Sequence, residues 1–184
     1  LWDPLHFLES CPSSDGAAAM VLTSEDNVAR SPNPPAWVLG HAKRTEFSSF
    51  PGRDTIKPQA GVDCAEALYR EVGITDPRRQ IDIAELYVPF SWYEPMWLEG
   101  HLIAPDGDGW KITHEGATAI DGDFPVNPSG GVLSSNPIGA SGMIRCLEAA
   151  SQVRGTAGDH QVDGAKIGLG HAYGGAAQYF AMWI

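Results

Sequence analysis

The sequence lacks the runs that identify common chemistries at sight. It contains no H-E-x-x-H, no G-x-S-x-G, no phosphate-binding loop and no G-x-G-x-x-G. The zinc-protease, serine-hydrolase and nucleotide-binding signatures are therefore absent. Cysteine is scarce and odd in number: Cys11, Cys64 and Cys146 stand far apart, with no C-x-x-C pair. Neither a zinc site nor a disulfide framework is read from them, and three reduced thiols in a cytoplasmic protein is the expectation. No stretch approaches the ~18 consecutive apolar residues of a membrane span. Basic residues are few, 12 Lys and Arg against 23 Asp and Glu, for a formal net charge of −11. Such a surface repels nucleic acid and anionic membrane, so neither is expected as a partner. It does not exclude an anionic small ligand, which answers to a local pocket. The start, Leu1-Trp2-Asp3-Pro4, has neither Met nor a basic stretch. It does not read as a signal peptide, and it suggests a sequence that begins mid-chain.

What is present points to an α/β layered domain. Hydrophobic residues make up 43 %, enough for a core, and 21 Gly and 14 Pro are interleaved with apolar runs. Asp15-Gly16 is a turn signal, and Ala17 to Thr23 reads as a short apolar strand. Ser31 to Pro35, SPNPP, is a linker, because its prolines fix φ and remove backbone donors. It separates residues 1–31 from residues 36–184. Ala36 to Arg44 reads as a strand and Ser48 to Pro58 as a polar loop. Val62, Ala65, Leu68, Tyr69 and Val72 share one face of a helix predicted over Gln59 to Val72, with Gly73 closing it. Pro77-Arg78-Arg79 is a turn, and Ile81, Ile83 and Leu86 lead a strand into Tyr87 to Phe90. Ser91 is placed as the cap of a helix over Trp92 to His101. Asp106 to Gly109 resembles a calcium loop in composition, but it lacks the alternating ligands and terminal Glu, so it reads as a turn. A further helix runs Ile138 to Arg154, with Gly155 past its end. Lys166 to His171 and Gln178 to Ile184 read as a hairpin turning at the double glycine.

Three segments carry more turn chemistry than a plain fold requires. Tyr87 ends a strand, where side chains of α/β sheets meet ligands; it could equally cap the core with its hydroxyl at the rim. Asn136 to Gly142 opens a helix, with Pro137 near the first helical position. Free N–H groups there would favour an oxyanion or phosphate, or Asn136 is simply the cap. Gly170 to Gly175 sets His171 and Tyr173 on a glycine turn. His171 could carry a proton near neutrality or could be a satisfied core histidine. His6, His41, His101, His114 and His160 lie on polar or terminal stretches and read as surface.

Taken in order, SDGAAAMVL (Ser14 to Leu22), IDIAELYVPF (Ile81 to Phe90), PVNPSGG (Pro125 to Gly131), NPIGASG (Asn136 to Gly142) and HAYGG (His171 to Gly175) resemble the C-terminal half of the thiolase superfamily. The likeness is strongest to its lipid-transfer-protein-like, or sterol-carrier-protein-type, members, which include steroid side-chain aldolases. The resemblance implies a layered α/β unit built twice, with substrate entering between the halves. Residues 1–31 would end the N-terminal half with its last strand. Residues 36–184 would form the C-terminal domain, a five-stranded mixed sheet flanked by helices.

The departures from an ordinary thiolase carry the functional expectation. Asn136 stands where a thiolase has the His that activates a thiol. His171 stands where it has the Cys that moves a proton at the α-carbon, and Tyr87 where it has the Asn of an oxyanion hole. Cys11, Cys64 and Cys146 fall on none of the family's catalytic positions. With the sulfur and imidazole groups of this half replaced, retro-aldol cleavage of a β-hydroxyacyl-CoA, the reaction of the steroid side-chain aldolases, fits better than thiolysis. His171, or Tyr87 polarised by it, would be the base, and Asn136 and Tyr173 would donate to the thioester oxygen. Gly139, Ser141, Gly174 and Gly175 would contact the substrate. Its coenzyme A is part of the substrate, and no bound cofactor or metal is implied. The alternatives are a thiolase-type acyltransferase acting on a 3-ketoacyl-CoA, or a non-catalytic acyl-CoA or sterol binder. A homodimer through the thiolase fold and a small OB-fold, zinc-ribbon partner are the implied assemblies. Trp92, Tyr93 and Trp97 could serve such a contact or pack in the core.

Overall fold

The helical periodicity of Val62, Ala65, Leu68 and Tyr69 produces α1 (Gln59–Val72), which buries all four. Gly73 stops it with φ 76°, a left-handed conformation that glycine adopts without steric cost, and donates its N–H to Tyr69 O. The computed structural model describes residues 3–48 and 51–184 of the chain. Around α1 stand β1 (His41–Thr45), α2 (Pro77–Gln80), β2 (Ile83–Glu85), α3 (Tyr93–Gly100), α4 (Gly109–His114), α5 (Gly131–Ser134), α6 (Ile138–Arg154), β3 (Gly168–Gly174) and β4 (Tyr179–Trp183). Short 3-10 segments occupy Phe7–Glu9, Glu25–Arg30 and Gly158–His160. Among the described residues no helix is long and apolar enough to cross a membrane.

The four strands form one mixed sheet in the order β1-β4-β3-β2. β1 and β3 each run antiparallel to β4, and β2 runs parallel to β3, with Ile83 opposite Gly168 and Glu85 opposite Gly170. A parallel pair needs a long crossover, and the helices from α3 to α6 supply it. α6 packs on β2 and β3, while α1 covers β1 and β4 on the other face beside α3. Gly142 lets α6 approach closely, because an added Cβ there would sit 2.9 Å from Ala172 Cβ. The main core lies on the α1–α3 side, around Leu68, Trp97, Phe124, Leu169, Phe180 and Met182. Each such side chain contributes roughly 1.5–3 kcal/mol through burial. Ile83, Ala149 and Ala165 form a smaller cluster under α6.

Several expectations need correction. The sheet has four strands, not five. Residues 17–23 form no strand: no ladder partner lies beside them among the described residues, and Val21 and Leu22 are exposed. An apolar run becomes a strand only where a neighbour takes its hydrogen bonds. The hairpin turns later than the double glycine suggested, since β3 runs on through His171 and Tyr173 to Gly174 and reverses at residues 175–178. Pro77 opens a short helix. Ser91 does not cap α3; Trp92 takes that position, and Ser91 Oγ donates to Glu9 Oε1. His101 is fully buried, not on the surface. The polar loop expected over Ser48 to Pro58 falls partly on residues 49 and 50, outside the described residues.

Candidate functional site

Tyr87 follows the last residues of β2, and the surrounding elements hold its main chain from both sides. Its N–H donates to His171 Nδ1 at 3.4 Å, and its carbonyl accepts Trp97 Nε1–H at 2.7 Å. The preceding Leu86 N–H donates to Asn127 Oδ1 at 2.7 Å. With the backbone fixed, the phenol points to the start of α6. There its hydroxyl donates to Asn136 Oδ1 at 3.0 Å, and Ser141 Oγ donates to the same oxygen at 2.7 Å. Asn136 is almost fully buried. It does not cap α6: Pro137 holds that position and its carbonyl takes the N–H of Ala140 and Ser141. The Asn136 side chain is thereby released to turn inward.

Two hydroxyl donors on Oδ1 fix the orientation of the Asn136 amide. Its Nδ2 donates to Cys11 Sγ at 3.2 Å, and its main-chain N–H donates to Ser14 Oγ at 3.2 Å. The segment carrying Cys11 is stitched to the strand end: Cys11 N–H donates to Pro89 O at 2.9 Å, Ser91 N–H to Glu9 O at 3.0 Å, and Ser10 bridges Phe90. Tyr173 completes the group. Its ring meets Tyr87 edge-on, with centroids 5.2 Å apart, and stacks on Tyr93 at 5.4 Å. Burial pushes the Tyr87 phenol above its ordinary pKa, against the hydrogen bonds from Asn136 and Ser141. Burial, and then Tyr93, push Tyr173 up further. Both phenols are therefore neutral donors at physiological pH.

His171 stands two residues before Tyr173 on β3. It is completely buried, and its ring is surrounded by His101 at 4.4 Å, Trp97 at 5.4 Å and Phe180 at 5.7 Å. Burial, and then the neighbouring His101, hold its pKa well below the ordinary imidazole value. It meets Tyr87 at the main chain and not at the hydroxyl. The contact it makes to Tyr87 is support of the backbone amide. A hydrogen-bond acceptor under a fixed amide is what a neutral imidazole can supply.

A cleft of about 470 Å³ opens beside this cluster, between Ser14 to Ala18 and Pro137 to Met143. Gly139 lines it, with no atom within 4 Å of where a Cβ would stand. Ser141 points inward to Asn136 instead. Gly174 pairs with Tyr179 at the end of β3, and Gly175, at φ 60°, serves the chain reversal. The structure thus gathers Tyr87, Asn136, Ser141 and Tyr173, sets Gly139 at the adjoining cleft, and puts His171 against the Tyr87 main chain. The sequence did not point to Cys11, Ser14 or His101, and it offered Trp97 as a partner contact or a core residue; the structure buries it in the core. Cys11 meets Asn136 across 125 residues, and nothing local marks such a contact.

Comparison with known proteins gives the fold its family. The model of the thiolase C-terminal domain-like family matches residues 42–184. The chain belongs to this thiolase family. It is 35 % identical to the acetyl-CoA acetyltransferase of Methanothermobacter thermautotrophicus over 99 % of its length, which is 48 % of that protein. It is 37 % identical to sterol carrier protein 2 of Bos taurus over 95 % of its length, which is 33 % of that protein. Among solved structures, an Ltp2-ChsH2(DUF35) aldolase superposes with a TM-score of 0.83 at 23 % identity, over all of this chain and 48 % of that one. The thiolase fold and the likeness to lipid-transfer-type members are thus established. The chain spans half or less of the length of each of these relatives.

Proposed function

We propose that this chain supplies the C-terminal half of a site that cleaves a β-hydroxyacyl-CoA by a retro-aldol reaction. The observation that carries the reading is the buried phenol of Tyr87, hydrogen-bonded to Asn136 and edge-on to Tyr173. Those places belong to different groups in an ordinary thiolase. A retro-aldol step needs a base for the β-hydroxyl proton and donors for the thioester enolate left when the Cα–Cβ bond breaks. Two phenols kept neutral by burial suit the donor role. Both lie where the backbone is rigid, so they would lose little in reorganising toward the developing charge. No acyl-enzyme and no free coenzyme A thiol is required. The substrate would enter by the cleft beside Ser14 and Pro137, with Gly139 leaving room for its coenzyme A portion.

A thiolase-type acyltransferase is the second reading, favoured by the acetyltransferase likeness over 99 % of the chain. The full-length protein, assayed with 3-hydroxybutyryl-CoA and with acetoacetyl-CoA, separates the two. Aldehyde release without added coenzyme A supports the lyase, whereas cleavage of acetoacetyl-CoA that depends on free coenzyme A supports the transferase. Tyr87→Phe is expected to lower lyase turnover about 1,000-fold. Unchanged turnover would remove the assignment. A homodimer and an OB-fold, zinc-ribbon partner belong to the same proposal. They draw on the resemblance and on the solved neighbour, whose name couples Ltp2 with ChsH2(DUF35). Co-purification of such a partner with the full-length protein tests this part.

A further inference from the structure

The retro-aldol reading leaves one requirement unmet on this chain. A proton must leave the β-hydroxyl, and a proton must arrive at the α-carbon of the departing enolate. His171 can do neither, enclosed by Trp97, His101 and Phe180. Asn136 does not titrate. Ser141 Oγ is committed to Asn136 Oδ1, and Ser14 Oγ accepts the Asn136 main-chain N–H. The phenols of Tyr87 and Tyr173 have the donor role and are held in their protonated form by burial, so neither is the base. Asp15 lines the adjoining cleft, outside the bonded cluster. Of the groups hydrogen-bonded to one another in the cluster, one more can exchange a proton, and it is a thiol. A thiol is more acidic than phenol, hydroxyl or amide.

We infer that Cys11 is the proton carrier of this site. Its main-chain N–H is anchored on Pro89 O, and its sulfur accepts Asn136 Nδ2–H. Sγ is the acceptor in the contact with Asn136, so its own hydrogen lies outside that bond and can transfer. The thiol is half-buried, and the amide that donates to it is the one whose Oδ1 accepts the Tyr87 hydroxyl, so one side chain joins sulfur and phenol. The other two cysteines differ. Cys64 is buried under the sheet, donates to Ala42 O at 3.3 Å, and has its pKa pushed up to about 11, chiefly by burial. Cys146 lies on α6 with its pKa raised by burial.

This inference rests on the retro-aldol reading, and the step balances on one group. The Cys11 thiolate takes the β-hydroxyl proton. The Cα–Cβ bond breaks, its electron pair passes into the thioester enolate, and the β-carbon becomes a carbonyl. The S–H then returns its proton to Cα. This leaves the shortened acyl-CoA, the aldehyde or ketone, and the thiolate for the next turnover. No oxidant, reductant or metal is consumed.

The reverse of the last transfer can be measured without any cleavage. The full-length protein, incubated in D₂O with acetyl-CoA and with propionyl-CoA, should exchange the α-hydrogens, and the acyl-CoA mass reads the rate. Cys11→Ala and Cys11→Ser are each expected to lower exchange at least 100-fold, and to lower cleavage of 3-hydroxybutyryl-CoA with it. Exchange at the wild-type rate in either variant overturns the inference, as does a wild-type protein that exchanges nothing. Should both variants fail to fold, iodoacetamide on the wild-type protein decides it. Exchange lost in step with carbamidomethylation of Cys11, mapped by peptide mass, supports the inference, and exchange retained on alkylated Cys11 overturns it. A wild type that exchanges in a Cys11-dependent way but cleaves no β-hydroxyacyl-CoA keeps the proton carrier and removes the retro-aldol reading.

Discussion

The two faces of the sheet solve the same problem in opposite ways. Under α6, Glu85 is completely buried and is neutralised on the spot: Arg145 Nη1 lies 2.6 Å from its Oε2, and Ser129 Oγ donates to the same oxygen at 2.8 Å. On the α1–α3 side, His101 and His171 are equally buried and have almost no partners. Both ring nitrogens of His101 and Nε2 of His171 lack a hydrogen-bond partner among the described residues. A guanidinium cannot discard its charge, so its burial demands a counterion. An imidazole can shed its proton, and burial drives His101 down to about 3 and His171 well below its ordinary range. Tyr87 stands at the junction, with its backbone held by the imidazole side and its hydroxyl turned to the polar cluster at the head of α6.

The contrast breaks first on the charged side. Arg145→Met strands Glu85 without its counterion, and urea unfolding should show a loss of about 3–5 kcal/mol. Adding Glu85→Gln should recover a large part of it; no recovery would mean that Arg145 acts by packing alone. The imidazole side should fail through acid. In the unfolded chain each His titrates near ~6.5, whereas in the folded chain both stay neutral. Below that pH the unfolded state binds protons that the folded state refuses. Stability from this pair is thus complete above about pH 6.5 and falls as the pH drops toward the folded-state values. The slope approaches about 2.7 kcal/mol per pH unit for two groups. Unfolding midpoints at pH 7, 6 and 5 measure it. His101→Phe should remove about half, ~1.4 kcal/mol per pH unit, and an unchanged slope would show that the imidazoles are not its source. The smallest effect belongs to the junction. Ser141→Ala removes one of two donors to Asn136 Oδ1, with Tyr87 still on that oxygen, and should cost about 1 kcal/mol of stability.

How far the sequence reached follows from which contacts are local. α1 and α6 lie where helical spacing and the closing glycines Gly73 and Gly155 placed them, because periodicity and a left-handed cap are properties of neighbouring residues. The run at residues 17–23 failed because its strand state depends on a partner that no local pattern supplies. Tyr87 and Asn136 were singled out by resemblance and do meet, 49 residues apart. His171 was singled out too, and β3 carries it to the same face as Tyr173, two residues on. What no strand pattern shows is that its ring packs among Trp97, His101 and Phe180 and meets Tyr87 only at the main chain. His101 looked polar and exposed because its neighbours in sequence are, while α3 turns it toward Trp97 and His171.

The amino-acid order by itself determined the α/β layering, the limits of α1 and α6 and the family, since these depend on periodicity, caps and motifs read along the chain. Only the tertiary structure decided which groups share a site. It set Cys11 against Asn136 and His171 against the main-chain N–H of Tyr87. Such meetings arise from packing the sheet between two helical layers, and a linear pattern carries no term for contact across 125 residues.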